Sequence, residues 1–134
     1  MRKLIDIEGI GEASLKKLQA AGVPTLKAFL GMCASPSGRK SLEEKTGISH
    51  AEILRWTNHA DLARINGIGG QYAELLETAG VDSVPELAHR NAEHLLAKMS
   101  EINQAKKLIR RLPPMSRVTN WIDQAKTLPK VVTH

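Results

Sequence analysis

Two short glycine-bearing stretches constrain this chain most: Asn66-Gly67-Ile68-Gly69-Gly70 and its echo, Glu8-Gly9-Ile10-Gly11-Glu12. Each is a Gly-Ile-Gly triplet with an Ile two residues before its first Gly, at Ile7 and Ile65, and a helical pattern after it. Glycine adopts positive φ and lets another backbone approach closely. Two glycines around one apolar residue therefore suit a tight hairpin between helices. The first amides of the helix that follows have no intrahelical acceptor, and such amides bind anions, phosphate included.

The stretches belong to a longer duplication. At an offset of 58 residues, Leu18 meets Leu76, Ala21-Gly22-Val23 meets Ala79-Gly80-Val81, and Thr25, Leu26 and Phe29 meet Ser83, Val84 and Leu87. Trp121 and Ala125 match Trp56 and Ala60 at an offset of 65. A regular internal repeat points to one supersecondary unit used twice.

Helical periodicity fills the rest. Residues 12–21 read as a helix closed by Gly22, and residues 25–33 as a second, short one. Ser35-Pro36-Ser37-Gly38 reads as a loop. Ser41 to Glu44 has capping-box spacing, with Ser37 an alternative start, and Gly47 ends that helix. Ser49 caps a stronger helix over 50–63. Helices over 70–79, 84–90, 91–98 and 102–111 follow, the last stopped by Pro113-Pro114. A final helix over 117–127 is the counterpart of helix 50–63. The prediction is all-α, a single domain of 134 residues with two pseudo-repeated helix-hairpin-helix units (about 1–63 and 64–128) sharing one core. The last helix is expected to pack beside the N-terminal hairpin, bringing Val131 and Val132 near Leu4 and Ile5.

Charge is unevenly spread. Residues 1–99 carry 12 Lys/Arg against 12 Asp/Glu, whereas residues 100–134 carry 7 against 2. A localised excess points to an anionic partner better than net charge does. On a helix over 102–111, Lys106 with Arg110 and Lys107 with Arg111 are four residues apart and would form a basic stripe, with Arg117 beyond it. Such a stripe grips a nucleic-acid backbone without reading sequence. A solvated helix face, or an acidic protein surface against it, accounts for it equally well. The hairpins differ too. Asp6, Glu8 and Glu12 ring the first and repel phosphate. The second has Arg64 before it and uncharged Asn66, Gly70, Gln71 and Tyr72 around it.

Other chemistry finds no residues. Cys33 is the one cysteine, so there is no disulfide framework and no Cys-based zinc site. The five histidines are scattered, and no phosphate-binding loop or dinucleotide fingerprint is present. With Phe29, Trp56, Tyr72 and Trp121 as the only aromatics, a base-stacking platform is not expected. Trp56 and Trp121 lie on apolar stripes and read as core. Asp61 is expected to face solvent or pair with Arg64. No apolar run reaches membrane-spanning length and no signal-peptide core is seen, so a cytoplasmic protein without a membrane partner, cofactor or metal is expected.

These features resemble the helix-hairpin-helix superfamily. More narrowly, Ile7 to Gly11, Ala21 to Val23, Trp56 to Leu62, Arg64 to Gly69, Ala79 to Asp82, and Trp121 to Lys126 through Leu128-Pro129 resemble the bacterial family called domain of unknown function 4332. That family brings no activity. The wider superfamily implies an all-helical fold and, commonly, sequence-nonspecific binding of double-stranded DNA through hairpin amides, with Lys or Arg close by. The expectation is a non-enzymatic DNA-binding protein. Arg64, Gly67, Gly69 and Gly70 would act at the hairpin, and Lys106, Lys107, Arg110, Arg111 and Arg117 on the basic helix. The alternative is an adaptor that turns the same surfaces to a protein partner, or to a second copy of itself.

Overall fold

The computed structural model describes residues 3–134. Among them the chain is all-helical: a 3-10 turn, Leu4–Asp6, then α1 (Glu12–Ala20), α2 (Leu26–Cys33), α3 (Pro36–Thr46), α4 (His50–Leu62), α5 (Gly70–Thr78), α6 (Val84–Ala88), α7 (Ala92–Lys106) and α8 (Met115–Thr127). The chain divides into two compact units. One is Met1–Asp61 with Val131–His134, and the other is Leu62–Lys130. Buried apolar side chains form two clusters, one in each unit, where the sequence predicted a single shared core.

In the first unit, the 3-10 turn lies against α1, and α2 packs on α3. Ile7 and Ile10 bury the underside of the first Gly-Ile-Gly, and Ile53, Trp56 and Ala60 of α4 join the same cluster. Gly9 turns the chain at φ +94°. A Cβ there would meet Trp56 Nε1 at 3.1 Å. Helix α1 closes as a Schellman turn: Gly22 has φ +88°, and the Val23 N–H donates to the Leu18 carbonyl at 3.0 Å.

The second unit uses the same local geometry. Gly67 turns at φ +100°, and a Cβ there would meet Trp121 Nε1 at 2.9 Å. Gly80 closes α5 at φ +94°, with the Val81 N–H donating to the Leu76 carbonyl at 2.8 Å. Helix α8 packs on α6 and α7, and α7 on α5.

Two local expectations fail. Ser35 to Gly38 is no loop: Ser35 caps α3, its hydroxyl accepting from the Gly38 N–H at 3.1 Å, and Pro36 opens the helix. Proline is at home there because its missing N–H would have had no partner. Residues 91–98 do not end a helix, because α7 runs unbroken from Ala92 to Lys106. Trp121 of α8 lies under Gly67, so the last helix closes the second hairpin. Val132 is buried, and the tail is held at Ala34: the Thr133 N–H donates to the Ala34 carbonyl at 2.8 Å.

Arg39 fastens that tail. Its side chain is only 2% exposed. Nη1 donates to the Cys33 carbonyl at 2.8 Å, and Nη2 to the Thr133 carbonyl at 2.8 Å. A buried guanidinium is tolerated because carbonyls replace its water. Arg39→Met keeps the packing volume and removes these bonds. It should cost about 3 kcal/mol, read as a lower urea midpoint at unchanged slope.

Cys33 lies alongside, fully buried. Burial pushes its thiol from the usual 9.0 up to about 11, against a hydrogen bond with Thr57 and the charge of Arg39, both of which pull it down. The folded protein therefore holds a proton that the unfolded chain releases between these values. Stability must then fall as pH rises from about 9 to about 11. The urea midpoint of Cys33→Ala should lack this part of the alkaline decline.

Candidate functional site

The second hairpin is held from below and from one side by α8. Trp121 is fully buried against Gly67, and Tyr72 packs on the indole with ring centroids 5.2 Å apart. One turn further on, Gln124 grips the hairpin backbone at both ends of one residue. The Asn66 N–H donates to Gln124 Oε1 at 2.9 Å, and Gln124 Nε2 donates to the Asn66 carbonyl at 3.1 Å. Gln124 Nε2 also donates to Asn120 Oδ1 at 2.7 Å, which fixes the amide. Nothing local in the sequence marks a helix glutamine as a partner for a turn 58 residues away.

Helix α5 begins at this turn without a side-chain cap. Gly69, at φ −93° and ψ −177°, is its N-cap residue, and the first intrahelical donor is Ala73, bonded to the Gly69 carbonyl at 2.9 Å. Five of the other helices are capped by a side chain: Thr25, Ser35, Ser49, Ser83 and Asn91 accept from the first turns of α2, α3, α4, α6 and α7. At α5 the positive end of the helix is left to other partners. Asn66, Gly67 and Gln71 are exposed there, and Gly69 and Gly70 partly so.

Arg64 stands beside the turn, its Nη2 donating to the Pro129 carbonyl at 2.6 Å. Arg117, Asn120 and Gln124 fall at i, i+3 and i+7 of α8, hence on one side of that helix. Arg117 is exposed and lies about 10 Å along the helix from Gln124. It is the one member of the predicted basic set on the element that holds the hairpin.

The basic stripe itself does not form. Helix α7 stops at Lys106, and Lys107 takes the left-handed conformation at φ 51°. Asn103 folds the chain over: its Nδ2 donates to the Ile109 carbonyl at 3.0 Å, and its Oδ1 accepts from the Ile109 N–H at 3.0 Å. Lys106, Lys107, Arg110 and Arg111 are all exposed, but on a bend, so the four-residue spacing has no helical meaning.

At the first hairpin, Gly11 caps α1 with nearly the same dihedrals, −95° and −175°, yet Glu12 occupies the first turn. Asp6 is turned back onto the Lys3 N–H at 2.8 Å. Asp61 does not face solvent. It is fully buried at the end of α4, where Thr57, Asn58 and His59 are buried too. Among the described residues no group of three or more His, Cys, Asp or Glu could hold a metal ion, and no helix is long and apolar enough to cross a membrane.

Residues 8–128 match the model of a family described as "Domain of unknown function (DUF4332)". No curated protein and no solved structure gives a significant match to the chain.

The hairpin depends on the close approach of Trp121. Gly67→Ala would force a Cβ against the indole at a positive φ, and should lower stability by about 2 kcal/mol. At Gly69 a Cβ has open space at an extended φ, so Gly69→Ala should cost about 1 kcal/mol, through the weaker N-cap alone. Thermal melts of the two variants check the order.

Proposed function

Since the chain belongs to the family described as domain of unknown function DUF4332, a description that assigns no activity, its role must come from geometry, and we propose sequence-nonspecific binding of double-stranded DNA by a tandem helix-hairpin-helix protein. The two hairpins are read as copies of one unit. In each, a positive-φ glycine rests on a tryptophan from the unit's last long helix, and an extended glycine opens the next helix.

The observation that carries the binding reading is the uncapped start of α5. No side chain caps it, the turn before it is clamped by Trp121 and Gln124, and no carboxylate lies between Arg64 and Tyr72 in the sequence. A phosphate oxygen there would accept from the Gly70 and Gln71 amides at the positive end of the helix. Arg64, which precedes the turn, and Arg117, on α8, add charge. Lys106, Lys107, Arg110 and Arg111 contribute a diffuse attraction from the bend. No base edge is read by such an arrangement, so affinity would depend on salt and not on sequence. The first hairpin, with Glu12 in its helix start, is assigned no phosphate.

The test is fluorescence anisotropy on duplexes of unrelated sequence across a salt series. Affinity should fall steeply with salt and be alike for all sequences. Gln71→Glu puts a carboxylate beside the phosphate position and should weaken binding about fivefold at low salt. The same change suits a helix start and should leave stability unchanged or slightly higher. Arg117→Gln should lower the log–log salt slope by about 1. A protein that leaves every duplex unbound at low salt would overturn the reading and leave the adaptor alternative in its place.

A further inference from the structure

The first unit carries a groove of about 540 Å³ between the 3-10 turn, α1 and the start of α2. Leu4, Ile5, Leu15 and Leu26 make it apolar, and Lys3 and Lys27 stand at its lining. No acidic residue lines it. Ile5 is 38% exposed, one of the two large apolar side chains so open among the described residues. Leu15 and Leu26 are only partly covered.

The matching positions of the second unit behave differently. At the offset of 58, Leu15 corresponds to Ala73 and Leu26 to Val84. Both of these are closed to solvent, at 2% and 0%. At Leu15 and Leu26, then, apolar positions that are covered in the second unit are partly open in the first.

We propose that this groove receives an amphipathic helix of a partner protein, apolar on one stripe and acidic along its flanks. The apolar floor takes side chains at i, i+3, i+4 and i+7 of that helix. Lys3 and Lys27 select the acidic flanks, since a basic helix would meet like charge on entry. The lysine of Lys27 replaces Pro85 of the second unit, so this charge belongs to the open copy alone. The inference rests on the pairing of the two hairpin units proposed above, and not on DNA binding.

Methyl NMR on the full chain tests it, with two synthetic helical peptides of about 14 residues, some 21 Å long. Both carry leucines at the four stripe positions; one has glutamates on its flanks and the other lysines. The glutamate peptide should shift the methyls of Ile5, Leu15 and Leu26, and should bind about tenfold more tightly than the lysine peptide. The double change Lys3→Glu with Lys27→Glu should reverse that preference. Ile5→Ser alters no charge, and should weaken peptide binding while leaving duplex affinity as it was. Because DNA binding is measured on the same samples, either proposal can fail without the other. The groove assignment is overturned if neither peptide moves these methyls at millimolar concentration, or if both bind equally. It is also overturned if decanoate shifts the methyls and the peptides do not. Self-association in sedimentation that Ile5→Ser abolishes would assign the groove to a second copy, and overturn it as well.

Discussion

Each hairpin turns on the same contact, an indole ring pressed against a glycine. Trp121 beneath Gly67 leaves less room than a Cβ requires, and Trp56 beneath Gly9 leaves only a tight fit. The contact joins a local constraint to a tertiary one. Glycine is needed for the positive φ, and at Gly67 it is needed again because the ring occupies the space where any other side chain would begin. The isoleucine between the two glycines, Ile10 or Ile68, points into the core beside the ring. The turn is thereby held on two sides by apolar packing. In the second unit Gln124 adds two hydrogen bonds to the backbone of Asn66. Trp121 does this at a local cost, for its buried Nε1 meets no acceptor among the described residues.

Much of this was legible where the signal is local. Gly22 and Gly80 end their helices, and Ser49, Ser83 and Asn91 begin theirs, because a cap needs only residues within a turn of one another. The tryptophans were legible as core, but not as the floor of a turn, because that pairing joins residues far apart in sequence. Pro36 misled for an instructive reason: proline and glycine usually punctuate, yet behind a capping serine the same residues open a helix. The stretch after Lys106 misled in the opposite sense. Its lysine, arginines and leucines favour helix, but Asn103 offers Ile109 two hydrogen bonds that replace those of a helix turn. Side-chain competition of this kind is what propensity omits.

Loss of the stripe moves the weight of the site. A helical row of four cations would have been a surface in its own right, indifferent to where the hairpin lay. On a bend, Lys106, Lys107, Arg110 and Arg111 supply field rather than shape. What remains shaped is the turn at Asn66 to Gly70, the strip from Arg117 to Gln124 that holds it, and Arg64 fixed by the Pro129 carbonyl. These are parts of one unit, Leu62–Lys130.

The two helix starts show what distinguishes a site from a scaffold in the proposed reading. Gly11 and Gly69 have dihedrals within a few degrees of each other, so α1 and α5 present the same bare amides. In α1 the next residue is Glu12, whose carboxylate sits at the positive end of its own helix. A charge so placed stabilises a helix by about 0.3–1 kcal/mol. In α5 the next residue is Gly70, among the weakest helix formers, and nothing acidic follows until Glu74. The second helix therefore forgoes stabilisation that the first obtains from a single side chain. Proteins give up such increments where a group must stay open to a ligand. A purely structural hairpin has no reason to leave that end unneutralised, and the contrast between Glu12 and Gly70 is the argument for an anion at the second turn and none at the first.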